Sequence, residues 1–349
     1  MSKYSLISKA DYLKRLISHV NESVSGDDIL LMTMVVDFDS NLINLLYLEL
    51  ISAAKRSVNI VLLIDAHQFI FSNKNNKIGP LFYSKNLQKV FANGFYQKLN
   101  IRLEKLINAG IKIAIINRPN RLFSLAYKDR SHIKLGVINN IVYIGGVNLT
   151  DDNHRDYMIK INNPFLANQL FEFSSDLIST NSVRKSLNNN LKITLIDNSL
   201  VLLDRGNNGD SIIFDLTLRQ IKDATKNILF TCQFFPDRKI LQQLILASKR
   251  GVRVKLVYNH YLKHKFPFSL LQLVMFKYNV LKFPNNFTYD NRVSEDTYLH
   301  SKILICDDFV VIGSHNLINA GVKFNTAEIA FMRKDKKLAQ KINLLFGLI

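Results

Sequence analysis

The chain has 349 residues, 48% of them hydrophobic and 21% charged, which fits two ordinary domains or one large duplicated domain and excludes a disordered protein. A formal net charge of +18 predicts an anionic partner, either nucleic acid or an anionic membrane surface. The N-terminus is interrupted by charge every few residues, and no apolar run reaches the roughly 18 residues of a membrane span. We therefore expect a soluble cytoplasmic protein.

The first half opens with a strand, a helix and a second strand. Apolar runs at 28–36 and 58–65 predict buried strands, and 41–56 has the spacing of an amphipathic helix. A long crossover then leads to another apolar run at 111–116. Within it, residues 79–98 mix aromatic side chains with lysines, which predicts a lid or a lipid-contacting surface.

A predicted β-hairpin at 131–148 carries the first group of chemically active residues. His132 and Lys134 are two residues apart on its first strand, so their side chains emerge on the same face. Gly145 and Gly146 let the backbone approach a bound group, and Asn148 adds an amide just beyond. An imidazole, a cation and an amide that converge in this way suit a phosphate.

The same order of elements returns in the second half. A strand at 227–235, a helix at 239–250 and a strand at 252–259 precede a second hairpin at 298–316, so the chain contains one repeated α/β unit. The apolar segment 266–276 could be a membrane-dipping edge, but its position matches a core-facing helix of the first half, and we favour the core helix.

The second hairpin repeats the offsets of the first. His300, Lys302, Gly313, Ser314 and Asn316 stand where the first hairpin has its own set, with 13 residues from His to the first Gly and 16 from His to Asn in both copies. A single His-x-Lys pair is explained by chance on a strand surface, whereas two copies in register favour function. Since each half carries half a catalytic set, we expect the halves to pack face to face as a pseudo-dimer.

Further candidate residues support this site. One acid lies in or beside an apolar strand downstream of each hairpin, Asp156 and Glu328, and a buried acid needs a partner, so each is expected to orient a catalytic histidine. His315 alternates away from the site and is predicted to be structural. For His154, a supporting role and a substrate contact both stay open. Cys232 and Cys306 lie in apolar runs and are predicted to be small buried side chains.

Two such sets predict a phosphodiester reaction with a covalent intermediate. One neutral histidine attacks phosphorus, and the other, protonated, gives a proton to the departing alkoxide. The side chains expected to bind the non-bridging phosphate oxygens are Lys134, Lys302, Asn148 and Asn316. This chemistry requires no metal, the sequence has no clustered ligand set suited to one, and we predict no cofactor.

The doubled motif resembles that of the phospholipase D superfamily, His-x-Lys-x4-Asp followed by Gly-(Gly/Ser)-x-Asn. The second copy has every residue type, including Asp307, while the first has Asn139 at that position. Both copies have five residues between this position and the first Gly, where the family often has six. We read these residues as turn positions, which Asn suits as well as Asp. The run 144–152, followed by Arg155 and Asp156, is similar to bacterial cardiolipin synthases of the phospholipase D type.

The resemblance implies an α/β fold of two repeated phospholipase D-like α/β/α sandwich halves around one active site. We place the first repeat at 1–190 and the second at 191–349, with the seam near 179–190, in a monomer with internal pseudo-twofold symmetry. By analogy with the family, His132 is the nucleophile and His300 the acid.

The implied activity is phosphatidyl transfer to a lipid hydroxyl through a phosphohistidine, as in cardiolipin synthases. The expected partners are anionic phospholipids, with peripheral attachment to the inner face of the cell membrane through basic and aromatic segments. The alternatives are phospholipid hydrolysis, a metal-independent nuclease that binds nucleic acid, and a non-catalytic scaffold. Retention of both His-x-Lys pairs disfavours the scaffold.

Overall fold

The structure is a computed structural model that describes residues 4–68, 82–84, 94–118, 123–125, 128–180, 190–206, 209–263, 268–290 and 297–347. Most of the predicted insert 79–98 and of the seam 179–190 lies outside the described residues. The helices are α1 (Lys9–Glu22), α2 (Asn41–Lys55), α3 (Gly94–Asn108), α4 (Pro164–Thr180), α5 (Ile212–Asp223), α6 (Arg238–Lys249), α7 (Phe268–Val280), α8 (Asn319–Lys323) and α9 (Lys336–Leu345).

The strands divide between the two halves of the chain. Those of the first half are β1 (Tyr4–Ser8), β2 (Asp28–Thr33), β3 (Asn59–Asp65), β4 (Phe82–Ser84), β5 (Lys112–Ile116), β6 (Phe123–Leu125), β7 (Leu135–Ile138), β8 (Ile141–Gly145), β9 (His154–Arg155) and β10 (Tyr157–Asn162). Those of the second half are β11 (Leu191–Thr194), β12 (Leu200–Arg205), β13 (Asn227–Cys232), β14 (Arg253–Tyr258), β15 (Phe287–Asp290), β16 (Tyr298–Leu299), β17 (Ile303–Cys306), β18 (Phe309–Gly313) and β19 (Ala327–Lys334).

Each half forms one mixed sheet, and the two sheets share a topology. The first runs β1-β10-β8-β7-β2-β3-β5, and the second runs β11-β12-β19-β18-β17-β13-β14-β15. In both, an antiparallel hairpin (β7-β8 or β17-β18) adjoins three parallel strands (β2-β3-β5 or β13-β14-β15). The predicted duplication and the α/β class are confirmed, while the boundary at residue 190 stays a prediction.

Three apolar clusters hold these layers together. The outer face of the first sheet packs on α1, α2 and α3, and that of the second packs on α5 and α6. The third cluster joins the inner faces of both sheets, with Leu30 and Ile144 from the first and Leu229 and Ile305 from the second, flanked by α4 and α9. The halves therefore share one continuous core, as expected for a pseudo-dimer.

Two expectations need correction. The histidine and lysine pairs were predicted on the first hairpin strands, but they lie in the extended segments just before β7 and β17. The apolar segment 266–276 was expected to be a core helix. In α7, Met275 and Phe276 do pack on the core, but Leu271 and Val274 are 53% and 57% exposed. The core prediction is therefore wrong for the outer side of this helix.

Candidate active site

The segments that carry the two histidines are bound across the interface between the halves. The amide of His132 donates to the carbonyl of Ala327 on β19 at 2.8 Å, and the amide of His300 donates to the carbonyl of Arg155 on β9 at 3.0 Å. In addition, β9 pairs directly with β16, which precedes His300. Each histidine is thus held by backbone from the repeat to which it does not belong.

The predicted acids pair with these histidines, again across the interface. His132 Nδ1 lies 3.1 Å from both carboxylate oxygens of Glu328, and His300 Nδ1 lies 2.6 Å from Asp156 Oδ2. A carboxylate accepts a hydrogen bond from Nδ1–H, which orients each ring and leaves Nε2 as the atom able to attack or protonate a substrate. The histidine side chains are only 13% and 10% exposed.

The two lysines are buried beside the histidines. Lys134 Nζ donates to the carbonyl of His132 at 2.7 Å, and Lys302 Nζ donates to the carbonyl of His300. Burial lowers the pKa of Lys134 to about 7 and also lowers the pKa of Lys302. An ammonium group has three donors, and the carbonyl bond uses one, so an anion in the site would both bind the remaining donors and stabilise the charged form.

The two predicted amides differ in their hydrogen-bond partners. Asn148 Oδ1 accepts the Thr33 hydroxyl at 3.4 Å. Asn316 Oδ1 is buried with no hydrogen-bond partner among the described residues, whereas its backbone carbonyl accepts the Cys232 thiol. An unsatisfied buried amide is costly, and a ligand with a hydroxyl would satisfy it.

The two residue sets also interact electrostatically. Burial lowers the pKa of His300 well below its usual value, and the charges of Lys302, Lys134, His154 and His132 add to this effect. Burial also lowers the pKa of His132, with the Glu328 charge opposing it. Because so many basic groups act on one another across the interface, the site favours an anion.

The residues that close the hairpins contact the acids differently. A Cβ atom on Gly146 would lie 2.4 Å from Asp156 Oδ1, so no larger residue fits there without displacing the carboxylate. At the equivalent position, the hydroxyl of Ser314 donates to Glu328. The Gly-Gly and Gly-Ser pairs therefore support the two acids in different ways.

Two polar residues that the sequence analysis missed hold the residues preceding the histidines. Asp65, at the end of β3, accepts the amide of Ser131 at 2.6 Å and the Arg130 guanidinium at 3.2 Å. Asn259, just after β14, donates to the carbonyl of Leu299 at 2.6 Å and accepts its amide at 2.8 Å. Asp65 ends the second parallel strand of its repeat, and Asn259 follows that of the other. The two residues match when the repeats are aligned, and this match is the signal that could have found them.

The acidic position of the family motif lies in the hairpin turns, as predicted. Asn139 and Asp307 have positive φ angles of 50° and 54°, which short polar residues tolerate. The Asp307 carboxylate accepts the backbone amides of the three residues that lead into β13, and Asn139 Oδ1 accepts the amide of Asp28 at 3.1 Å. These residues brace the turn against a neighbouring strand.

The two remaining candidate histidines, His315 and His154, have contacts of their own. His315 is buried and accepts the amide of Leu317 at 2.7 Å, which fits a structural role. His154 stacks on His300 with ring centroids 5.4 Å apart, and its Nδ1 lies 3.1 Å from Asp152 Oδ1. In the part of the chain that the structure describes, no group of three or more His, Cys, Asp or Glu side chains could hold a metal ion.

The fold and the paired half-sites define a protein of the phospholipase D type. The family model "Cardiolipin synthase, PLD-like domain" matches residues 16–177 and 217–347, one range in each half. These ranges cover most of the chain, which therefore belongs to this family.

Curated relatives and a solved structure agree with this family. A cardiolipin synthase A of Pseudomonas putida is 27% identical over 260 residues, 68% of this chain and 51% of the relative. Cardiolipin synthase B of Shigella flexneri is 23% identical over 310 residues, 82% of this chain and 66% of the relative. The chain spans about half the length of most of the curated relatives it matches. The crystal structure of phosphatidylserine synthase from Haemophilus influenzae Rd KW20 shares the fold, with a TM-score of 0.71 at 14% identity over 99% of this chain and 85% of that one.

None of the helices in the described ranges combines the length and the apolar character needed to cross a membrane.

Proposed function

We propose that this protein is a phosphatidyltransferase of the cardiolipin synthase type that works through a phosphohistidine. The observation that carries the proposal is the pair of crossed His–carboxylate contacts, His132 with Glu328 and His300 with Asp156, beside two buried lysines. The names of the relatives, cardiolipin synthases A and B, support the same activity.

The reaction proceeds in two displacement steps. In the first, Nε2 of His132 attacks the phosphorus of a phospholipid while the bond from phosphorus to the headgroup oxygen breaks, and protonated His300 gives its proton to that oxygen. In the second, the hydroxyl of the acceptor gives its proton to His300, its oxygen bonds to phosphorus, and the phosphorus–nitrogen bond to His132 breaks. The two residues are thereby restored.

The buried cations make these steps feasible. Negative charge on the non-bridging oxygens increases as phosphorus becomes five-coordinate, and the ammonium groups of Lys134 and Lys302 stabilise it inside a site that excludes most water. The amides of Asn148 and Asn316 would fix the orientation of the phosphate. The orienting acids keep each Nδ1 protonated so that Nε2 faces the substrate.

The substrates we propose are anionic phospholipids at a membrane surface. The net charge of +18 favours peripheral attachment to an anionic leaflet, which we place at the inner face of the cell membrane. The same charge also favours a nuclease, which is the second candidate. Whether water or a lipid hydroxyl reaches the phosphohistidine decides between hydrolysis and transfer. We expect the active unit to be a monomer with internal pseudo-twofold symmetry.

The test is a product assay on phosphatidylglycerol vesicles in EDTA, read by mass spectrometry, with His132→Ala and His300→Ala variants alongside. We expect cardiolipin and glycerol from the parent, and a loss of at least about 10³-fold in each variant. Phosphatidic acid alone would indicate hydrolysis, and cleavage of single-stranded DNA without any lipid product would support the nuclease instead. A phosphoramidate trapped by rapid quenching and mapped to one peptide would identify the nucleophile.

A further inference from the structure

The outer side of the second repeat exposes an apolar surface between α6 and α7. The two helices flank a groove of about 860 Å³ lined by Leu246, Val274 and Tyr278 among other residues. Leu246, Leu271 and Val274 are 48%, 53% and 57% exposed, and Tyr278 is 70% exposed. We call the exposed side chains of these two helices the α6–α7 surface. Several large apolar side chains exposed together mark an interaction site.

The charge around this surface has a single sign. From residue 238 to residue 289 the chain contains ten lysine and arginine residues and no aspartate or glutamate. Arg238, Lys249 and Lys282 line the groove itself, and the Lys282 ammonium lies 3.7 Å from the centre of the Tyr278 ring. By contrast, the outer helices of the first repeat, α2 and α3, each carry an acid, Glu49 and Glu104.

An exposed apolar surface with a basic rim fits an anionic lipid surface better than the other anionic partners. Exposed Leu and Val side chains add nothing to phosphate contacts and cannot stack on bases, whereas they gain free energy at the boundary between headgroups and acyl chains. With 13 residues, α7 is about 20 Å long and shorter than a bilayer core of about 30 Å, so it would lie along the membrane surface.

The position of the surface agrees with access to the active site. α6 begins after β13, and α7 follows β14 and Asn259, whose amide binds the residue before His300. Thr231, near the end of β13, pairs with Ile303 shortly after His300, so the N-terminal end of α6 lies toward the edge of the sheet where His300 is.

We propose that the α6–α7 surface is the face with which this protein binds an anionic phospholipid bilayer. This inference rests on the proposed function only for the identity of the substrate, because membrane binding can be measured without turnover. Each basic side chain near an anionic membrane strengthens binding by roughly fivefold, and the exposed apolar groups add to this.

The first test uses the absence of tryptophan from the chain. In a Tyr278→Trp variant, the only indole stands on the α6–α7 surface, and in a Leu48→Trp control it stands on α2, where Leu48 is 51% exposed. With vesicles of phosphatidylglycerol and phosphatidylcholine, we expect a blue shift and quenching by brominated acyl chains for Tyr278→Trp alone. Equal responses at both positions, or none at Tyr278→Trp, would overturn the proposal.

The second test is vesicle sedimentation with matched substitutions. Leu271→Gln with Val274→Gln should weaken binding at least fivefold, whereas Leu45→Gln with Leu48→Gln on α2, at 50% and 51% exposure, should leave it unchanged. Equal losses in the two variants would contradict the assignment.

Charge reversal gives an independent comparison. Lys277→Glu with Lys282→Glu should weaken binding to anionic vesicles at least tenfold, and the same net change at the exposed Lys14 and Lys192 should cost much less. Comparable losses in the two variants would mean that net charge alone drives binding, and they would overturn the proposal. Charge-dependent binding to single-stranded DNA without binding to vesicles would also overturn it. The His300→Ala variant should bind vesicles like the parent, so failure of the proposed reaction and failure of this surface are distinguishable.

Discussion

The two half-sites contain the same residue types but hold their acids differently. Glu328 accepts a hydrogen bond from the Ser314 hydroxyl and contacts His132. Although burial opposes ionisation, the charges of His132, His315 and Lys134 and the hydrogen bond to His132 lower the pKa of Glu328 to about 2. Asp156 faces the bare backbone of Gly146, and burial raises its pKa despite the nearby Lys302. The surroundings of Glu328 therefore favour its ionised form, whereas burial disfavours the ionised form of Asp156.

This difference extends to the histidines. His300, beside the weakly stabilised acid, has its pKa lowered well below the usual value, chiefly by burial, while for His132 the charge of Glu328 counters burial. In the free protein His132 thus retains a proton more readily than His300, whereas the family resemblance makes His132 the nucleophile. A bound phosphodiester raises both pKa values, and the histidine that carries phosphorus in the trapped intermediate decides the assignment.

Removing the charge of each acid should separate the half-sites most strongly. We expect Glu328→Gln to lower turnover about 100-fold, because His132 loses a firmly ionised partner that fixes its tautomer. Asp156→Asn should lower turnover less, by about tenfold, since burial already disfavours its charge. Steady-state transfer assays with circular dichroism as a folding check measure both. Equal losses would show that the electrostatic difference has no catalytic consequence.

Much of this site was predictable because the duplication places each local sequence pattern in the chain twice. The offsets from His to Lys, Gly and Asn, the turn at Asn139 and Asp307, and the two acids are all patterns along the sequence. The crossing of the pairs was not predictable, because it depends on how two sheets pack, and no local pattern specifies which acid meets which histidine. Similarly, the apolar sequence of α7 indicated a buried helix. Which of its side chains are exposed depends on how α7 packs beside α6, and no local pattern specifies that packing.

The polar residues that end the second parallel strands provide the next comparison. Asp65 accepts hydrogen bonds on both carboxylate oxygens, so Asp65→Asn places an NH₂ group where an acceptor is required. Asn259 both donates to and accepts from Leu299, so Asn259→Asp replaces a donor with a second acceptor. We expect each change to lower turnover about tenfold by loosening the segment before the histidine, with little change in KM. A KM effect alone would indicate a role in substrate binding.

The pH dependence of stability should also distinguish the histidines. A histidine whose folded pKa is lowered binds fewer protons in the folded state than in the unfolded state, so stability rises as pH increases toward the unfolded pKa of about 6.5. Asp156, with its raised pKa, has the opposite sign, and Glu328 contributes only below about pH 5. Urea unfolding from pH 5 to 7 should show this rise, at most about 1.4 kcal/mol per pH unit for each histidine.

Replacing each histidine isolates its share of the slope. His300→Gln should flatten the rise more than His132→Gln, because the pKa of His300 is lowered further. If neither substitution changed the slope between pH 5 and 7, that result would contradict the lowered pKa values of both histidines.

The smallest effects are expected in the hairpin turns, where the family motif has its acid. Asp307→Asn keeps a residue that tolerates the positive φ angle but removes the charged acceptor to which the amides at the start of β13 donate. The free energy of unfolding should therefore fall by about 0.5–1 kcal/mol with turnover unchanged. Asn139→Asp restores the motif acid at the first turn. This change should not raise the free energy of unfolding, because the new carboxylate would stand next to Asp28, whose amide binds residue 139. The Asp28 carboxylate, which binds Asn59, has the same charge and would repel it. If Asn139→Asp raised turnover, the acid would have a part in the chemistry, since a turn residue acts only through stability.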